Sequence, residues 1–243
     1  MSSFRSIALV LALGLPGAHF ALAQSSSSSS NPAAAQQPPA ASQSQTSQSV
    51  QARIRARREA RRAQAIRDVY SHRYEPYLTM GYMRFVPGPN KQRTTFYAWD
   101  TGLTRFYSER LGATLDMRGN YGTAYVGLNP YSVTRPSIAV YSVMGGPTYR
   151  FYLQPKYSLA VHGMAGYAHG NFSGDTNGFG GKLLGLYPDG STFAANVAVM
   201  GEYNISPGLG LRLAPEYNFN GFGSKMQASR GFTAGFVFRF GKQ

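Results

Sequence analysis

Between Phe232 and Phe240 every second residue is apolar, four of these five being Phe, and the residues between them, Thr233, Gly235, Val237 and Arg239, are smaller or polar. A period of two residues is that of a strand with one apolar face. The same alternation recurs from about Tyr70 onward, with turn residues at intervals. It predicts eight strands, over residues 75–85, 95–107, 110–121, 137–152, 157–170, 192–205, 208–220 and 230–241. Each comes to about ten residues or slightly more, the length a tilted strand needs to cross a bilayer.

The connections alternate too. Strands two and three are joined by SE, four and five by LQPK, six and seven by SP, whereas the other links are long. Tight turns at one end and long loops at the other are the layout of an up-and-down membrane barrel. The expected fold is all-β, an eight-stranded antiparallel up-and-down transmembrane β-barrel over residues 70–243.

The two faces of the expected strands differ in size as well as polarity. One carries Leu159, Val161 and Tyr167, then Phe193, Val197 and Tyr203, then Leu211, Leu213 and Tyr217, then the Phe stripe. The other carries Ala160, His162 and Ala168, then Ala194, Asn196 and Glu202, then Arg212, Ala214 and Glu216, then Thr233, Gly235 and Arg239. An eight-stranded barrel has an interior only just wide enough for side chains to fill. Small and charged residues suit that interior, and large apolar ones suit an unbounded outside. Strand three follows the scheme, with Asp116 and Arg118 inward. In strand four Gly145, Gly146 and Pro147 suggest a bulge, and Arg150 is placed inward.

The expected lumen therefore sets Asp100, Asp116, Glu202 and Glu216 against Arg118, Arg150, Arg212 and Arg239. Buried charges are tolerated when paired and hydrogen-bonded, so a balanced set suits a nearly dry interior. The alternative is a charged, ion-selective pore. Arg239 is expected to meet a carboxylate such as Glu216. Aromatics gather toward strand ends, with Phe106, Phe151, Tyr157, Tyr203 and Phe240 near the short turns. Phe85, Tyr121, Tyr167, Phe193, Phe219 and Phe232 lie near the long loops, as two interfacial girdles would.

The N-terminal third has a different texture. Residues 1–23 combine Arg5, an apolar stretch from Ile7 to Leu15 and the small-residue site Ala21-Leu22-Ala23, the three-part layout of a secretory signal. Residues 24–50 are nearly all Ser, Gln, Ala and Pro and read as a flexible tether. Residues 51–69 form an Arg-rich, helix-prone arm. Composition sharpens this: 24 Lys and Arg face 10 Asp and Glu, but much of the excess sits in Arg53, Arg55, Arg57, Arg58, Arg61 and Arg62. Export argues against nucleic acid as the partner of that cluster. Clustered Arg instead suits anionic lipid headgroups or an anionic envelope polymer such as peptidoglycan.

The chain resembles the small OmpA-type outer-membrane β-barrel proteins of Gram-negative envelopes over roughly residues 74–241. LGATLDMRGNYG, PSIAVYSVMGGPTYRF and GFTAGFVFRFG look like strand segments of that superfamily. Thr233, Gly235, Phe238 and Phe240 resemble its C-terminal assembly signal, which implies recognition by the barrel-insertion machinery. The family often ends on the final aromatic, whereas here Gly241, Lys242 and Gln243 follow it. The resemblance implies a structural or envelope-interaction role with the loops as binding surface, above all residues 171–191. A narrow pore, a lipid A-modifying enzyme and a soluble lipocalin-type barrel are the rival readings.

Catalytic and cofactor chemistry is hard to place. His72, His162 and His169 are the histidines after the leader, and neither strand histidine has an obvious outward-facing Ser and acid beside it, as nucleophilic catalysis requires. Residues 178–185 hint at a phosphate loop, but Thr176 and Leu183 break its spacing. Residues 175–178 resemble a calcium-loop fragment without its closing Glu. With no cysteine, neither a disulfide framework nor a thiolate metal site is available; no other metal-ligand cluster shows in the sequence, and no metal or cofactor is expected.

Overall fold

A computed structural model describes residues 41–242 apart from Ser224, with side chains described from Val50 onward. The expected signal peptide and residues 24–40 of the expected tether lie outside the described residues. Helix α1 spans Ala41–Tyr70, so it starts inside the segment expected to be tether. Ala, Arg and Gln are good helix formers, and the arginines are spread around the axis without an apolar stripe. Residues 50–64 are accordingly exposed, whereas Val69 and Tyr70 are buried. Only Ser71 separates α1 from the first strand, and its amide donates to the Arg67 carbonyl at 2.9 Å. The arm is thus continuous with the barrel wall.

The strands are β1 (His72–Phe85), β2 (Thr94–Phe106), β3 (Leu111–Thr123), β4 (Ser137–Leu153), β5 (Tyr157–Gly174), β6 (Gly190–Ser206), β7 (Leu209–Asn220) and β8 (Gln227–Phe238), followed by a three-residue β9 (Phe240–Lys242). Strands β1 to β8 each pair antiparallel with their neighbours in sequence, and β1 also pairs with β8 and β9. Thr79 faces Asp100 on β2 and Gly235 on β8, which closes the sheet into a barrel and leaves it no free edge. The seam is tight. A Cβ on Gly235 would overlap the Leu78 carbonyl oxygen, and one on Gly81 would overlap that of Phe232. These two glycines let β1 and β8 approach.

Two sequence expectations are corrected. The last strand is broken at Arg239 instead of running continuously over 230–241, although the Arg239 amide still donates in register to Gly208 at 2.8 Å, and β9 resumes at Phe240 in the same register on β1. Strand β4 has no bulge at Gly145–Pro147. Its register runs unbroken there, and the irregularities fall at Ser137/Ala139 and Arg150/Tyr152.

Polarity is inverted relative to a water-soluble core. Asp100, Asp116, Arg118, Arg150, Glu202, Arg212, Glu216 and Arg239 are each at most 5 % exposed. Outward lie Leu78, Leu115, Val143, Val197, Leu213 and Phe236. Two members of the expected girdles do not belong to them: Phe85 and Phe106 point inward and are buried, because they sit in register with the lumen face of their strands. Among the described residues no helix is long and apolar enough to cross a membrane.

Candidate functional site: the filled lumen and the two barrel mouths

The lumen is stacked in three layers. Nearest the long loops lies an apolar layer. Phe85, Phe96, Phe172 and Phe222 pack there with Met83, Met144, Met164, Leu184, Leu186 and Tyr187. Ring centroids are 5.1 Å apart for Phe85–Phe96 and 5.2 Å for Phe172–Phe222. Leu184, Leu186 and Tyr187 come from the loop between β5 and β6, whose 3-10 turn Gly181–Leu184 folds over the opening. Much of the segment expected to be a free binding loop is therefore a lid. Burial pushes the Tyr187 phenol above its ordinary pKa.

The middle layer is ionic and centres on Arg118. Its guanidinium donates to Glu216 Oε1 at 2.5 Å, Asp100 Oδ2 at 3.1 Å and Asn218 Oδ1 at 3.1 Å. Asp116 Oδ1 stands 3.9 Å from its Nε. The carboxylates are supplied in turn: Tyr77 donates to Asp116 at 2.5 Å and Thr79 to Asp100 at 3.2 Å. Asn196 gives its amide N–H groups to Glu216 and Asn218, so the Nε2–H of His162 donates to its oxygen at 2.8 Å. His162 is a satisfied lumen filler.

A second ionic group lies toward the short turns. Glu202 accepts from Arg212 at 2.6 Å and from Arg239 at 2.7 Å. Arg239 also donates to Glu75 Oε1 at 2.8 Å, and Arg150 to Glu75 Oε2. Arg239 therefore meets Glu75 and Glu202 and not the Glu216 expected from sequence. Glu216 stands opposite Gly231 at the far end of β8, and Arg118 holds it. Glu75 was missed in the sequence reading, and it raises the lumen acids to five against the four arginines. Tyr77 joins the two groups, with its hydroxyl on Asp116 and its ring 4.5 Å under Arg212. Networks of this kind are tolerable because each charge meets several partners.

The third layer closes the short-turn mouth. Tyr70, at the end of α1, has no exposed surface. Its hydroxyl donates to the Gln154 carbonyl at 2.9 Å and accepts from Asn204 at 2.7 Å. Arg150 lies between aromatic faces, 5.0 Å from the Tyr70 ring and 3.7 Å from the Phe106 ring. Arg62 adds a bond to the Gln154 side chain at 2.6 Å. Tyr70→Phe is expected to cost about 1–3 kcal/mol, since it leaves buried polar partners unmet. Urea unfolding followed on gels, folded and unfolded bands migrating apart, checks this.

The remaining expected residues are placed as follows. Thr233 is buried inward, Gly235 sits in the seam, and Phe238 and Phe240 are outward, about half exposed. Arg53, Arg55, Arg57, Arg58 and Arg61 are solvent-exposed on α1. His169 has an outward serine beside it that the sequence reading overlooked: the cross-strand pairing puts Ser191 Oγ 3.0 Å from its Nδ1. Among the described residues no carboxylate completes the pair. Asp189 is bound to the Phe172 amide and the Ser173 hydroxyl. Among the described residues no group of His and acidic side chains is arranged to hold a metal ion.

No family model and no curated protein matches the chain. Solved structures do. The crystal structure of Neisserial surface protein A superposes with a TM-score of 0.51 at 12% identity, covering 69% of this chain and 97% of that one. The fold is that of the small outer-membrane barrels. OprG from Pseudomonas aeruginosa matches at TM-score 0.45 and 9% identity over 71% of this chain and 99% of its own. Ail, the attachment invasion locus protein of Yersinia pestis, matches at 0.44 and 15% over 68% and 99%.

Proposed function

We propose that the chain is a non-conducting, non-catalytic outer-membrane barrel that works through its surfaces. In this reading the long loops face outward from the cell and form the binding surface. The rigid Arg-rich arm meets anionic envelope material, peptidoglycan or lipid, on the periplasmic side. The aromatic stripe of β8 carries the signal for the insertion machinery.

The observation that carries the reading is the filled lumen. Tyr70 and the Arg150–Phe106 stack occupy one mouth, the ion-paired layer the middle, and the Phe-rich layer the other mouth. Between Met83, Asn120, Ser142, Ala168 and Asn218 the cavity is about 20 Å³, room for about one water molecule. Paired charges fill the space that a pore would need for ions. Among the described residues the His169–Ser191 pair lacks the third group that orients a catalytic base, which favours a binding role over an enzymatic one.

Planar-bilayer recording tests the first half: the full chain is expected to insert without single-channel steps, and reproducible unitary conductance would overturn the closed-lumen reading. Deleting Ser25–Asp68 tests the second, with loss of co-sedimentation with purified cell wall expected and unchanged co-sedimentation contradicting it.

A further inference from the structure

At the long-loop end of the outer wall, two arginines face each other across the closing seam. Arg84 on β1 and Arg230 on β8 are register partners, and both are exposed on the outward face. Like charges directly opposite on adjacent antiparallel strands repel and destabilise the pair. Among the described residues neither guanidinium has a carboxylate partner, and Arg230 instead lies 6.0 Å over the ring of Tyr217, its register partner on β7. Asp175 and Asp189 lie in the loop between β5 and β6, where Asp189 is occupied by Ser173 and the Phe172 amide, and Glu216, opposite Gly231, faces the lumen and is held by Arg118.

The depth of the pair is informative. One step toward the barrel middle, the outward row consists of Tyr82 and Phe232, whose ring centroids are 6.5 Å apart. Such rings mark the membrane interface. The arginines therefore stand just beyond the aromatic girdle, where lipid headgroups begin. Paired guanidinium forks match the oxygens of a phosphate and can share one between them.

We propose that Arg84 and Arg230 form a site for the phosphate of an outer-leaflet glycolipid. The bound phosphate cancels their mutual repulsion, and the glycolipid's acyl chains run down the wall past Tyr82 and Phe232. This rests on the outer-membrane reading above, which sets the long loops at the outer leaflet. The site staples the β1–β8 seam from outside, opposite the ionic network that crosses it from within.

The test uses the full chain inserted into phosphatidylcholine vesicles that carry bisphosphorylated or dephosphorylated lipid A. Mass spectrometry then counts the glycolipid retained per barrel after detergent extraction. The expected result is retention of the phosphorylated form, and at least ten-fold less of the dephosphorylated form. The double variant R84Q/R230Q is expected to lose retention similarly while keeping its heat-modifiable gel shift. Arg105→Gln, at the other end and also stacked on a tyrosine at 5.4 Å, is expected to change nothing. Equal retention of both glycolipids, or undiminished retention by R84Q/R230Q, overturns the site alone. Displacement by millimolar inorganic phosphate overturns the lipid as its source. A wild-type chain that does not insert at all contradicts the membrane reading and the site with it.

Discussion

Replacing Arg118 by methionine is expected to destabilise the barrel by about 3–5 kcal/mol, the range for removing one partner from a buried ion pair. The size follows from what the arginine holds. Its side chain is 1% exposed and faces Asp100 on β2, Asp116 on its own strand and Glu216 on β7. Loss of the guanidinium leaves three carboxylates close together in a low-dielectric interior, where each must either take up a proton or remain uncompensated. Methionine fills a similar volume, so the cost reports charge rather than a cavity. Removing one carboxylate as well is expected to restore part of it: Arg118→Met with Glu216→Gln should be less destabilised than the two single changes summed, by about 0.5–3 kcal/mol. Urea titrations of the two single variants and the double variant check both numbers. Simple additivity would mean that Arg118 and Glu216 do not act as a pair.

Phe236→Arg is expected to cost about 2–4 kcal/mol, as an arginine on the lipid face near mid-bilayer does. Phe236 lies midway between the girdle residues Phe232 on β8 and Phe240 on β9, and is 49% exposed with Leu211 and Leu78 as its register partners. Its value as a test is that the solvents give different magnitudes. In water, an arginine at so exposed a position on a strand surface falls within about 0.5 kcal/mol of neutral. Unfolding of the refolded variant in phosphatidylcholine vesicles therefore separates lipid from water at the outer wall, and a change near zero argues against lipid.

Much of the barrel is legible in the sequence because its two faces obey different rules. Outward positions have no size limit and inward ones have little room, so β5, β6 and β7 read correctly from Leu159/Ala160, Val199/Ala198 and Leu213/Arg212 alone. The short and long connections order the strands without any pairing information. What escapes is the part where the lumen stops being small and polar. Strand β1 turns Tyr77, Met83 and Phe85 inward with Glu75 and Thr79. A size rule cannot orient such a strand, so Glu75 goes unassigned and Phe85 looks like a girdle residue. Phe106 is misread for the same reason, being the inward partner of Arg150.

Contacts between distant segments are the other blind spot. Tyr70 reads as the start of the alternating region, ahead of the first expected strand, yet α1 delivers it into the barrel mouth against Gln154 and Asn204. Leu184 and Tyr187 read as loop residues, yet they complete an apolar layer begun by Phe85 and Phe96. Arg239 was matched to Glu216 as a plausible carboxylate on the neighbouring strand, but register places Glu202 and Glu75 beside it. Alternation reports which face a residue is on. It does not report how far along the strand it meets its partner.

The central claim is that the wall is inverted, with lipid outside and a packed polar interior. The absence of cysteine lets one probe test it directly. Single cysteines at positions 232–239 of the chain, each spin-labelled and placed in phosphatidylcholine vesicles, are scanned for collisions with oxygen and with a water-soluble nickel chelate. High oxygen and low chelate accessibility is expected at 232, 234, 236 and 238, and low accessibility to both reagents at 233, 235, 237 and 239. Chelate accessibility at 234 and 236 would place that face in water and contradict the account.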